Sequence, residues 1–193
     1  MIAVNFKKYI NGNKAVDLAK ICKKVADETG VKIIVAVQVE DLESCLETGI
    51  ECWSQKPEDA KYNFSGTLLN HSDYPLTDEV LNAQCSVLNI IKCVCISNIS
   101  QAAKLANLTI NYIAFEPHEL IGNTEKSVSS EKPEDIQRLA SSVQCPVLVG
   151  AGVHSAEDVK IALKMGAKGI LVATDVVKAS DPEKELRELA EAF

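Results

Sequence analysis

The chain has 193 residues, 47% apolar and 24% charged, and a formal net charge of −7. That balance describes one globular domain, residues 1–193, with a sizeable core, and it excludes a mainly disordered chain. The longest apolar runs, Ile33 to Val37 and Gly169 to Ala173, are strand-sized and far below the ~20 residues of a membrane helix. Negative charge without a long basic run makes nucleic acid and anionic membrane surfaces poor partners. An anion can still be held by local backbone amides or by one placed lysine.

Met1-Ile2-Ala3-Val4-Asn5 leads straight into a strand pattern, without the basic, apolar and cleavage regions of a secretory leader, so a cytoplasmic location is expected. The seven cysteines (Cys22, Cys45, Cys52, Cys85, Cys93, Cys95 and Cys145) are odd in number and embedded in apolar patterns, as expected of reduced core thiols. Cys93-Val94-Cys95 lacks the Cys-x-x-Cys spacing, and three histidines offer little for a metal site. No metal is expected.

In chain order, Ile2 to Phe6 reads as a strand. Lys14 to Thr29 follows as a helix whose apolar face is Leu18, Ala19, Cys22, Val25 and Ala26, with Gly30 as its stop. Ile33 to Val37 is the second strand, and a short helix around Leu42, Cys45 and Leu46 ends at Gly49. Glu51 to Gln55 and Phe64 to Asn70 are the third and fourth strands. Only Lys56 to Asn63 separates them, too few residues for a crossover of at least about 10–12. The remaining strands are Ile90 to Ile96, Tyr112 to Glu116, Pro146 to Gly150 and Gly169 to Ala173. Helices are expected near Thr77 to Asn89, Ser100 to Ala106, Pro133 to Val143 and Ser155 to Met165, and a last one after Asp181-Pro182.

Alternation of this kind marks a parallel α/β domain. Eight strands favour a single closed (β/α)8 TIM barrel, trimmed by loss of the helix between strands 3 and 4. An open flavodoxin-like sheet is the alternative. In a barrel the active site lies at the C-terminal strand ends, where four polar groups stand out: Asn5-Phe6-Lys7, Asn70-His71-Ser72-Asp73, Phe115-Glu116-Pro117 and Gly150-Ala151-Gly152. Each alone is an ordinary strand-end or turn feature. Together they converge on one mouth.

These motifs, with Glu119-Leu120-Ile121-Gly122, Val128-Ser129, Lys132-Pro133-Glu134 and Val176-Val177-Lys178-Ala179, make nearly the whole chain resemble the triosephosphate isomerases, the compact archaeal members most. The resemblance implies cofactor-free interconversion of dihydroxyacetone phosphate and D-glyceraldehyde 3-phosphate through an enediolate. It implies Glu116 as catalytic base, His71 as neutral electrophile, Lys7 as the electrostatic residue and Asn5 as its positioner. Asp73 and Cys95 would support them, and Pro117 to Thr124 would be the lid. The phosphate would sit on the amides of Gly122, Asn123, Gly152, Val153, Ala173 and Thr174. A helical turn near Ser72 and Asp73 would tune the histidine.

Four departures accompany the resemblance. The loop and helix after the third strand, which normally build the family's dimer and steady the lysine and histidine from a neighbour, are absent, so that dimer is not expected. Asp73 replaces a glutamate, Thr124 a second lid glycine, and Asp175 a glycine after the phosphate loop. Asp175 is expected to oppose a bound phosphate unless it turns aside to cap the short helical turn leading to Val176. The alternatives are a phosphate-binding barrel with reduced or lost isomerase activity, and another phosphosugar isomerase or aldolase of barrel fold.

Overall fold

Strands form where Val, Ile and Leu cluster, because β-branched and apolar side chains suit a pleated surface buried on both faces. The computed structural model describes residues 1–193. Its strands are β1 Ile2–Asn5, β2 Ile33–Val37, β3 Glu51–Ser54, β4 Gly66–Leu69, β5 Ile91–Ile96, β6 Tyr112–Phe115, β7 Val147–Val149 and β8 Gly169–Val172. All pairings are parallel, and the sheet closes in sequence order from β1 round to β8. The open-sheet alternative is thereby excluded.

Side chains alternate across this sheet and divide the apolar interior in two. Ala3, Ile34, Ala36, Trp53, Leu68, Cys93, Cys95, Ala114, Leu148 and Leu171 form a cluster inside the barrel. Their neighbours Ile2, Val4, Ile33, Val35, Val94 and Ile113 join the larger cluster under the helices. Each fully buried side chain of this size stabilises by about 1.5–3 kcal/mol relative to exposure. Trp53 is the largest residue of the inner cluster. Small neighbours such as Ala3, Ala36 and Ala114 make room for it, and its Nε1 donates to Glu51 Oε1 at 2.9 Å.

The helices are α1 Asn13–Thr29, α2 Leu42–Leu46, α3 Asp78–Val87, α4 Ala102–Leu105, α5 Val128–Glu131, α6 Pro133–Ser142, α7 Ala156–Lys164, α8 Thr174–Val177 and α9 Pro182–Ala190. Gly30 ends α1 in the left-handed region at φ 71°, its N–H donating to Ala26. Ser155 and Asp181 cap α7 and α9 as the sequence suggests, and Thr77 caps α3. Two helices differ from expectation. The segment near Ser100 opens as a 3₁₀ turn, Ile99–Gln101, because Asn98 and Gln101 close a reciprocal cap around it. The helix expected from Pro133 is preceded by a separate turn, α5, because a residue before proline, here Lys132, is disfavoured in helical geometry. Lys92 on β5 is buried with its ammonium on the carbonyls of Cys85 and Leu88, at 3.1 and 3.0 Å. It thus satisfies acceptors left over at the C-terminal end of α3.

Between β3 and β4 there is no helix long enough to cross over, only the 3₁₀ turn Pro57–Lys61. Strand β4 begins at Gly66, not Phe64: Phe64 instead turns into the outer core, and the Ser65 N–H donates to the Cys52 carbonyl at 3.0 Å. The ladder here has two register pairs, Trp53 with Gly66 and Ser54 with Thr67. It is reinforced by the hydrogen bond from Ser54 Oγ to Thr67 Oγ1 at 2.7 Å. Buried Pro57, Asp59 and Phe64 cover the wall where a helix would otherwise lie.

The Trp53 indole depends on the missing side chain at Gly66, since a Cβ there would fall 2.7 Å from Nε1. Gly66→Ala is expected to cost about 1–3 kcal/mol by overpacking. A lower chemical-denaturation midpoint at unchanged slope, followed by Trp53 fluorescence, is the result that checks it.

Candidate active site

The four polar strand ends meet at the C-terminal rim. Asn5, Lys7, His71 and Glu116 line one cavity together with Gly122, Asn123, Gly152, Val153, Ala173 and Thr174. The candidate catalytic and phosphate residues therefore share one space. Asp73 and Cys95 stand just outside it. Asp73 carries Lys7, and Cys95 borders a neighbouring hollow on the far side of Glu116.

Lys7 has a left-handed backbone, φ 49°, a conformation that costs a non-glycine residue about 1–3 kcal/mol. It is tied on both sides: its N–H donates to Asn5 Oδ1 at 2.9 Å, and its carbonyl accepts from Gln55 Nε2 at 2.9 Å. The same Gln55 amide reaches the Ala36 carbonyl at 3.0 Å. Gln55, 4% exposed, was not singled out by sequence reading; a polar residue directly after an apolar strand was the available signal. The Lys7 ammonium lies 3.3 Å from Asp73 Oδ2, so aspartate still reaches it.

His71 is 2% exposed. Its Nδ1 accepts the Asp73 N–H at 3.1 Å, and an accepting Nδ1 puts the proton of the neutral ring on Nε2. The helical turn expected here is a single tight turn closed by Tyr74 N–H on the His71 carbonyl at 2.8 Å, and α3 starts only at Asp78. Tyr74 is followed by Pro75, which disfavours helical geometry before it.

Asn5 Nδ2 lies 3.4 Å from His71 Nε2. With Asn5 Oδ1 held by Lys7, two N–H donors face the same point. Glu116 Oε2 lies 3.7 Å from His71 Nε2, buried and without a hydrogen-bond partner. A buried carboxylate oxygen left free is costly, and it remains an open acceptor facing the cavity. Burial first, then the charge of Glu116, hold the Cys95 thiol well above its usual range. It stays protonated beside the carboxylate.

The segment after β6 passes through a 3₁₀ turn, His118–Leu120, which buries Leu120, to Gly122 at φ 74°. Asn123 Oδ1 accepts the N–H groups of Glu125 and Lys126, both at 2.9 Å. Thr124 has no left-handed strain, so glycine is not required there. The expected cap by Asp175 is not formed. Ala173 occupies the N-cap of α8, Asp175 lies inside the first turn, and its Oδ1 is 2.7 Å from His154 Nδ1. The imidazole is the stronger partner because it is a ring donor fixed alongside.

Fold and rim together define a (β/α)8 barrel whose mouth gathers a carboxylate, an imidazole and an ammonium, groups of the kind that move protons in enzymes. A family model described as triosephosphate isomerase matches residues 77–192. Triosephosphate isomerases of Methanocaldococcus jannaschii and Methanothermus fervidus are each 36% identical over 98% of this chain, and over 98% and 96% of their own lengths. That of Methanosarcina mazei is 33% identical over 97% of this chain and 96% of its own. The chain belongs to the triosephosphate isomerase family. The M. jannaschii alignment runs over 216 positions against 193 residues here, so the relative has residues without counterparts. Among solved structures, thiamine phosphate pyrophosphorylase from Pyrococcus furiosus is similar at TM-score 0.70 and 16% identity, covering 99% of this chain and 94% of its own. The N-acetylmannosamine-6-phosphate 2-epimerase from Clostridium perfringens is similar at TM-score 0.70 and 13% identity, covering 100% and 93%. Those two likenesses are of fold.

A Cβ on Gly150 would lie 2.8 Å from both Cγ and Oε1 of Glu116 and 3.0 Å from the Leu171 carbonyl, so Gly150→Ala must displace the carboxylate. A fall of about 10- to 100-fold in kcat with little loss of thermal stability is expected. Parallel steady-state kinetics and thermal melts check it.

Proposed function

We propose that this chain interconverts dihydroxyacetone phosphate and D-glyceraldehyde 3-phosphate, with Glu116 as the base and His71 as the electrophile. The observation that carries the reading is the free, buried Glu116 Oε2 standing 3.7 Å from His71 Nε2. Glu116 takes a proton from the carbon beside the substrate carbonyl. The oxygen that gains charge receives the Nε2–H of His71 and the Nδ2–H of Asn5, both preorganised. His71 Nε2 hands its proton to the oxygen that gained charge and takes the proton of the adjacent hydroxyl, and Glu116 returns the first proton to the neighbouring carbon, so that the old hydroxyl oxygen becomes the new carbonyl. Lys7 offsets negative charge, and the phosphate rests on the amides of Gly122, Asn123, Gly152, Val153, Ala173 and Thr174. Side chains suffice for these transfers, so no cofactor enters the reading.

The reading includes a cytoplasmic location, supported by the reduced-thiol pattern; no helix is long and apolar enough to cross a membrane. For assembly, the segment from Gln55 to Phe64 serves this chain's own lysine and barrel wall, which supports a chain that does not form the family's usual dimer through that loop. Light scattering coupled to size exclusion is expected to return a monomer or an assembly through another face. An interface built by residues 55–64 would contradict it.

Glu116→Gln keeps the shape but cannot accept a proton, and is expected to lower kcat by about 10²- to 10⁴-fold with the melting temperature retained. His71→Gln should lose less, because an amide can still donate. A coupled assay starting from glyceraldehyde 3-phosphate ranks the two; near-normal turnover in Glu116→Gln removes it from the base role.

A further inference from the structure

The cavity is poorly charged for a dianion. Among its lining residues Lys7 is the one ammonium, already 3.3 Å from Asp73, whereas Glu116 and Asp175 are both carboxylates. The whole chain is at −7. A phosphate brought to Gly152 and Thr174 therefore meets net negative charge unless another group in the cavity supplies a positive one.

His154 lines the same cavity and is not used by the mechanism above. Its Nδ1 is 2.7 Å from Asp175 Oδ1. A carboxylate can only accept, so Nδ1 carries a hydrogen. The opposite nitrogen, Nε2, is buried and has no hydrogen-bond partner. It stands 3.2 Å from where a Cβ on Gly152 would lie, next to the glycine whose amide belongs to the proposed phosphate site.

We propose that His154 is a phosphate-binding residue that takes up a proton with the ligand, and that Asp175 is the residue that positions it. The proposal rests on the phosphate-site reading above. In the neutral ring Nε2 offers a lone pair to a phosphate oxygen, acceptor against acceptor, and the Asp175 charge is uncompensated. One proton from solvent converts Nε2 to N–H, which donates a charge-assisted bond to the phosphate. The imidazolium simultaneously cancels Asp175. The carboxylate that looks hostile to phosphate in the sequence becomes the group that orients its donor.

The charged groups facing the ring come from several elements. Asp175 belongs to α8. Asp158 on α7 accepts the His154 N–H at 3.1 Å and also holds Ser127 Oγ. Glu185 on α9 is near enough to feel both Asp175 and His154, its carboxyl pushed up by burial first and then by Glu188 and Asp175. Lys126 contributes its carbonyl close to Gly152, while its ammonium turns to Glu131 at 3.2 Å. On the cavity side stand Lys7, His71 and Glu116.

Inorganic sulfate tests this, because it stays a dianion across the range in which histidine titrates, so any pH dependence of its binding belongs to the protein. Sulfate inhibition of the isomerase is measured from about pH 6 to about pH 8.5 for the wild type, His154→Gln and Asp175→Asn. In the wild type, sulfate affinity should fall towards about tenfold per pH unit at the alkaline end, the limit for one linked proton. Titration calorimetry in buffers of different ionisation heat should show uptake approaching one proton per sulfate there. His154→Gln should bind sulfate with a flat pH profile and no uptake. Asp175→Asn should shift the profile to lower pH. Equal pH slopes in wild type and His154→Gln, or no uptake in the wild type, would overturn the proposal. Sulfate failing to compete with triose phosphate in any form would overturn the phosphate-site reading beneath it, a distinguishable result.

Discussion

Three residues other than glycine have left-handed backbones: Lys7 at φ 49°, Asn70 at φ 56° and Ala151 at φ 66°. They lie just beyond the ends of β1, β4 and β7, all on the C-terminal rim. Such a conformation costs about 1–3 kcal/mol for each residue and persists only if its surroundings hold it. Lys7 is held by Asn5 and Gln55. Asn70 holds itself, its amide on the Cys95 carbonyl at 3.0 Å and its Oδ1 on the Leu76 N–H at 3.0 Å. The Ala151 carbonyl accepts the Val128 N–H at 3.2 Å. Each sharp turn aims the next residue of the site: Lys7 itself over the mouth, His71 after Asn70, and Gly152 after Ala151. The acid–base geometry thus depends on strain that the barrel, by closing, can afford to hold.

The trimmed wall between β3 and β4 becomes intelligible in the same terms. The resemblance to the family implies a loop here that would steady the lysine and histidine from a neighbouring subunit. Here both are steadied from within. Gln55, the first residue after β3, ties the Lys7 carbonyl, and Asp73 receives the Lys7 ammonium while donating its N–H to His71. A shorter carboxylate at position 73 suffices because its own backbone is drawn in by the histidine. Loss of the crossover leaves a two-pair ladder, compensated by the Ser54 to Thr67 bond and by Trp53 filling the axis beside Gly66.

Strand and helix order was legible because short continuous apolar runs, buried on both faces as strands, alternate with segments of helical period almost throughout, and the closed parallel sheet follows from eight such strands. The residues gathered at the cavity were legible as candidates for a different reason: Asn5, His71 and Glu116 are polar groups at, or within two residues of, the ends of apolar strands, and burial at a barrel rim leaves polar residues there few alternatives. Boundaries were read less well. Phe64 and Gln55 look like strand residues by composition, yet one turns into the outer core and the other leaves the ladder to bind backbone carbonyls. The helical turn that the resemblance implies near Ser72 and Asp73 is only a single tight turn, closed by Tyr74 N–H on the His71 carbonyl ahead of Pro75. The partner of Asp175 was not legible at all. His154 is 21 residues away, and only closure of β7 against β8 brings the loops after them side by side.

That last pairing bears on how an acidic protein grips a dianion. At −7 the long-range field repels a dianion, so affinity must come from groups within a few ångströms, where screening by salt is weakest. Backbone amides supply partial charges that cannot be titrated away. The ammonium of Lys7 is shared with Asp73, and in the proposed reaction it serves the reacting end of the substrate. The proposed role of His154, a ring beside Gly152 held by the Asp175 carboxylate, adds positive charge at the phosphate end when a dianion is there to stabilise it. On that proposal the charge needed for binding arrives with the ligand.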